Sequence, residues 1–213
     1  GIGTARDMDR AREVVKVYGD HAPIFDVAFH REVARRLKNG DGVAVDEEGA
    51  AAWYRRAFEI CQKLAAAGDS DARFDLAGMY FSGHGVERDL AEALRRYAEL
   101  LEAAPQSAGN MLAWIRATAP DADLRDGAEA LAMARELVRD GPTPTYLDTL
   151  AAALAETGAF DEAVSVQQRA LEMLQSTALP IAAGADLADR RERLAIRLAH
   201  YRQRRPWRDD GLG

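Results

Sequence analysis

A motif that recurs at a fixed spacing constrains a fold more than any single residue, because each copy must stack on the next to bury its apolar face. This chain repeats itself after 43 residues. Gly40-Asp41-Gly42-Val43, followed by Asp46, Ala50 and Tyr54, returns as Gly83-His84-Gly85-Val86, followed by Asp89, Ala93 and Tyr97. Upstream, Val33-Ala34 meets Leu76-Ala77 and Leu37 meets Tyr80. The coincidence needs no gap, so residues 26–68 and 69–104 form a duplication.

Each copy reads as helix, glycine turn, helix. Phe74, Ala77, Met79, Tyr80 and Phe81 belong to one helix, and Leu90, Ala93, Leu94, Tyr97, Leu100 and Leu101 to the next, at helical spacing. Gly83 suits the left-handed residue just past a helix end, and Gly85 supplies a second permissive point. Asp89 is placed to cap the second helix, and Ala50 and Ala93 are small enough for helices to approach closely. The second half keeps helical spacing but changes period. Helices are expected from Met111, from Ala128 to Val138, from Thr143-Pro144 as N-cap and first residue, and from Phe160 to Leu174. Residues 176–186 read as a linker, and 186–203 as a last helix carrying Leu187, Leu194, Leu198 and Tyr201 on one face. A further helix is expected at Met8–Tyr18, and no segment shows the alternation of a strand.

The run Gly-x-Gly-Val-x-x-Asp-x-x-x-Ala-x-x-Trp-Tyr at residues 40–54 resembles the Sel-like repeat family, relatives of the tetratricopeptide repeats. The second copy departs from it with Arg96 in the tryptophan place. Residues 109–175, above all Tyr146 to Ala163, resemble tetratricopeptide repeats. Leu112 to Gly127 resembles a bacterial variant with a longer turn, which often ends in a helix followed by a segment like Arg205-Pro206-Trp207-Arg208. These resemblances imply an all-α fold: a right-handed superhelical solenoid of antiparallel helix pairs with a C-terminal capping helix. The expected division is an N-terminal helix at 1–25, as cap or truncated repeat, two Sel-like repeats at 26–104, two tetratricopeptide-like repeats at 105–176, and linker plus capping helix at 177–213.

Little in the chain points to chemistry. The net charge of -7 disfavours nucleic acid and anionic membranes, which need a basic surface. No stretch is apolar for the length of a membrane span. The single cysteine, Cys61, lies on an apolar stripe with Ala57, Phe58 and Leu64 and excludes an intramolecular disulfide. The four histidines share no metal-ligand spacing, so no metal or cofactor is expected. The Gly-x-Gly turns lack the third glycine and preceding strand of a dinucleotide site. Carboxylates such as Asp46, Glu47, Glu48, Asp161 and Glu162 fall at helix starts, where the helix dipole favours them.

Both resemblances imply a non-catalytic interaction or scaffold module in which the first helices line a concave groove for a peptide or partner protein. The groove candidates are Arg31 and Arg35, Arg73 and Asp75, and Thr145, Asp148 and Ala152; Arg204, Arg205 and Trp207 form a second candidate surface. Chaperone-binding relatives grip a carboxylate with lysine and asparagine. Asp148 at a groove-facing place would carry the opposite sign, which points to another class of partner. Two alternatives stay open. One is a hydrolase-like enzyme on a helical-repeat frame; the family's β-lactam-linked branch is rich in paired cysteines, unlike this chain. The other is a self-assembling homo-oligomer. The compartment, cytoplasmic or periplasmic, also stays open, because a trimmed export signal is compatible with a chain that starts at Gly1.

Overall fold

The computed structural model describes residues 26–176 and 184–211, so the expected helix at Met8–Tyr18 lies outside the described residues. Among those described there are nine α-helices and no strand. The described residues are therefore all-α. The chain divides into two compact units, one ending at Arg96 and one beginning at Tyr97.

The first unit contains α1 (Val27–Asn39), α2 (Glu47–Ala66), α3 (Ser70–Ser82) and most of α4 (Leu90–Glu99), the helix within which the division falls. The sequence period reappears as a structural one: Ser70 starts α3 43 residues after Val27 starts α1, and Leu90 follows Glu47 by the same interval. The starts are set by aspartates. Asp26, Asp46, Asp69 and Asp89 each accept a hydrogen bond from a backbone N–H of the helix they open, satisfying donors that have no partner within the helix. The ends of α1 and α3 are set by Gly40 and Gly83, whose left-handed φ of 76° and 73° terminates both helices alike.

One apolar cluster joins Phe29, Val33, Leu37, Ala50, Trp53 and Tyr54 between α1 and α2. Another joins Val27, Ala57, Ile60, Cys61, Leu76 and Met79 across α1, α2 and α3. Ala50, Ala57 and Ala77 are buried, so the helix pairs close on small side chains.

The second unit contains α5 (Pro105–Thr118), a short 3-10 turn (Ala122–Leu124), α6 (Gly127–Asp140), α7 (Pro144–Glu156), α8 (Phe160–Ser176) and α9 (Gly184–Arg202). Thr143 caps α7 through its side chain with Pro144 at the first position, as expected. Leu147 to Ala155 of α7 are buried without interruption. A helix buried on every side needs neighbours all round. Helices α5, α6 and α8 pack against it, and Arg197 reaches it from α9. Helix α9 covers α8 as a cap, with Leu194 packed among Leu147, Ala170 and Leu174.

Candidate functional site

The repeat's glycine turn builds a cleft in the first unit. At Gly85 (φ +80°) a Cβ would stand 2.2 Å from the carbonyl oxygen of Tyr54, so only glycine lets the turn seat on α2. The corresponding Gly42 has the same left-handed backbone (φ +76°) but no atom within 4 Å of a built Cβ. Seating Gly85 lays the His84 imidazole flat on the Tyr54 ring, with centroids 4.1 Å apart and planes 8° from parallel. The turn, α2 and the end of α1 enclose a cleft of about 620 Å³ lined by Lys38, Glu47, Tyr54, Arg55, His84 and Glu87. Burial, with Lys38 and then Arg31 nearby, lowers the pKa of His84 to about 4, so the ring is neutral at physiological pH. The cleft combines one stacked aromatic pair with cations and carboxylates at its edge. The sequence held its signal, Tyr54 and Gly85 in the motif, without revealing that the two touch.

The first-helix candidates divide. Arg31 of α1 and Asp75 of α3 meet in an ion pair of 2.7 Å with side chains 44% and 37% exposed. Arg35 pairs with Glu32 at 2.9 Å and also with Asp41, and Arg36 pairs with Glu32 at 2.7 Å. These guanidinium hydrogen bonds, that of Arg35 foremost, hold the Glu32 pKa below the usual carboxylate range despite some burial. Arg73 does not join them. Two residues along a helix is a turn of about 200°, so Arg73 and Asp75 cannot share a face. Arg73 reaches back to the carbonyl of Ala65 at 3.4 Å.

In the second unit the groove-facing reading of Asp148 and Ala152 is corrected. They are only 8% and 2% exposed. The Asp148 carboxylate receives both arms of the Arg197 guanidinium, at 2.9 and 2.8 Å, and the Gln167 amide at 2.8 Å. Its charge is taken up inside the unit, so its sign says nothing about which partner the protein prefers. Thr145 alone of the three is exposed. Beside the pair, the Thr149 hydroxyl donates to Asn110 at 2.9 Å. The Tyr201 hydroxyl is buried with no hydrogen-bond partner; burial, then the charge of Asp148, raises its pKa well above the usual value.

The expected second surface also looks different in the fold. Arg204 and Arg205 are exposed. Arg204 takes a left-handed φ of 54° at the end of α9, beside Phe160 and Asp161. Trp207 instead packs against the core cluster of the unit. Its ring meets His200 edge-on at 5.0 Å, and the Arg197 guanidinium lies 5.1 Å from the Trp114 ring and 5.9 Å from the Trp207 ring. The cause is the chain after α9, which turns back so that Asp209 donates its backbone N–H to Thr118 at 2.9 Å.

Cys61 is fully buried, donates to the Ala72 carbonyl at 3.1 Å and has its thiol pushed up to about 11 by burial, so it is a packing residue. Among the described residues, no cluster of three or more histidine, cysteine or carboxylate side chains is placed to hold a metal ion, and no helix is long and apolar enough to cross a membrane.

Comparison with known proteins agrees with the repeat. The Sel1 repeat family matches residues 29–60 and 70–95, which contain both Gly-x-Gly turns. Among solved structures, a Sel1 repeat protein from Oxalobacter formigenes is 18% identical, with a TM-score of 0.39 over 78% of this chain and 67% of that one. The c5321 protective antigen of uropathogenic Escherichia coli strains, described as displaying an SLR fold, is 17% identical, with a TM-score of 0.40 over 93% of this chain. The chain spans about half (54%) of that antigen. No curated protein matches it. The duplication, its two glycine turns and the family match agree: residues 29–60 and 70–95 match the Sel1 repeat.

Proposed function

We propose that the protein is a non-catalytic interaction module that binds a partner protein or peptide through the exposed first-helix face of its Sel1 repeats, with the tetratricopeptide-like pairs of the second unit as supporting frame. The observation that carries this is the Arg31–Asp75 pair, which links α1 and α3 at their surface, with Arg35, Glu32 and Asp41 beside it. Exposed ion pairs of this kind contribute only about 0–1 kcal/mol to stability. They are therefore free to exchange for charges on a partner at little cost to the fold. The cleft at Tyr54 and His84 supplies an aromatic floor for an anchoring side chain. Charged rims of this sort set partner choice and association rate more than raw affinity.

The test is affinity capture from the native organism's lysate with the wild-type chain and an Arg31→Glu/Arg35→Glu variant, each checked for normal helical circular dichroism. The reading predicts a protein retained by the wild type and lost by the variant, with retention weakening as salt rises. Equal retention by both chains would move the binding face elsewhere.

A further inference from the structure

The segment after α9 sits on the second unit as a bound peptide sits on a receptor. Residues 203–210 are not helical, and the left-handed Arg204 turns the chain off the helix axis. Three consecutive residues then find three different kinds of partner. Trp207 lies against His200 and the Arg197 guanidinium. Arg208 pairs with Glu156 at 2.7 Å. Asp209 accepts the Trp114 indole N–H at 2.8 Å, while its own backbone N–H donates to the carbonyl of Thr118 at 2.9 Å. Thr118 ends α5, and the last carbonyls of a helix have no partner within it. A backbone N–H arriving from an extended segment satisfies one of them. The segment remains half-exposed from Pro206 to Asp209, whereas Tyr201 just before it is fully buried. It lies over the core as a strap.

We propose that the second unit contains a peptide slot specific for the order aromatic, basic, acidic, occupied in this chain by its own Trp207-Arg208-Asp209, and that an extended partner segment with that order binds by displacing it. Each receptor group selects one position. The cationic and aromatic face of Arg197 and His200 takes an indole. The carboxylate of Glu156 takes a guanidinium. The Trp114 N–H takes a carboxylate. The Thr118 carbonyl fixes the register through the backbone. This slot is separate from the first-helix face of the first unit, and the proposal does not depend on that reading. A tethered ligand competes at an effective concentration of about millimolar, so the intact strap acts as a threshold that a partner must exceed.

The experiment uses the full chain and a fluorescent peptide with the sequence of residues 203–211. A Trp207→Ala/Asp209→Ala chain, with its own strap disabled, should bind the peptide at least about tenfold tighter than the wild type, whose strap competes. The same peptide carrying alanine at the tryptophan position should not bind. No binding to the folded double variant, or equal binding to both chains, would overturn the proposal. Should the double variant unfold, hydrogen exchange on the wild type decides. A displaceable strap opens without global unfolding, so the Asp209 amide should exchange at least about a hundredfold faster than the buried amides of α7. Equal protection at Asp209 and α7 would make the strap part of the core and overturn the proposal.

Discussion

Helices α3 and α7 each have 13 residues and each opens a helix pair, yet α3 buries Ala72, Leu76, Ala77 and Met79 whereas α7 buries nine residues in a row, Leu147 to Ala155. A helix with one buried stripe keeps a face to offer. One buried on all sides has only structural neighbours. Charge follows the same division. Asp75 on α3 meets Arg31 in water, and Asp148 on α7 meets Arg197 in the interior. The same residue types at comparable places form a partly exposed ion pair in one unit and a core element in the other.

The largest effects should separate those two aspartates. Asp148→Ala leaves the Arg197 charge buried without its carboxylate and should cost about 3–5 kcal/mol in a urea melt. Asp75→Ala should cost less than about 1 kcal/mol. Similar costs would break the distinction. The two copies of the glycine turn offer a comparison inside the first unit. Gly85→Ala must both adopt a left-handed backbone and push against the Tyr54 carbonyl, and should cost about 2–4 kcal/mol. Gly42→Ala meets open space and should cost only the backbone strain, about 1–2 kcal/mol.

The contrast between the units also marks what could be read from residues alone. The duplication, the aspartate caps, the glycine ends and the Thr143-Pro144 start are local, and a chain carries local signals in order. The burial of Asp148 is not local, because its partner Arg197 is 49 residues away, on the capping helix. The packing of Trp207 is not legible either, because the groups around it, with Trp114 bound to Asp209 across 95 residues, come together only when the chain turns back after α9. Alanine added to the difficulty. In Ala151-Ala152-Ala153 every side is equally small and apolar, so periodicity does not distinguish a buried face from a groove face. Arg73 and Asp75, by contrast, are set apart by helical geometry alone.

Smaller effects sharpen the comparison. His84 has a pKa of about 4 in the folded protein against an ordinary 6.5, so the unfolded chain binds more protons between those values. Stability should be complete above pH 6.5, fall as the pH drops, by on the order of 2 kcal/mol at pH 5, and level off below about 4. Burial lowers the His30 pKa in the same sense, with its backbone hydrogen bond to Asp26 opposing. His84→Gln should flatten a measured stability curve between pH 6.5 and 4; an unchanged curve would mean the ring is not held neutral. In the second unit, Tyr201→Phe removes a buried hydroxyl that has no hydrogen-bond partner and should raise stability by about 1 kcal/mol. A loss of that size would show that the hydroxyl is engaged after all.

The proposed binding face is the open first-helix face of the first unit, with α7 closed to partners. Hydrogen-exchange footprinting of the captured complex tests it most directly. The account predicts new protection along α1 and α3, around Arg31, Arg35 and Asp75, and none in α7. Protection confined to the second unit, with α1 and α3 unchanged, would contradict it.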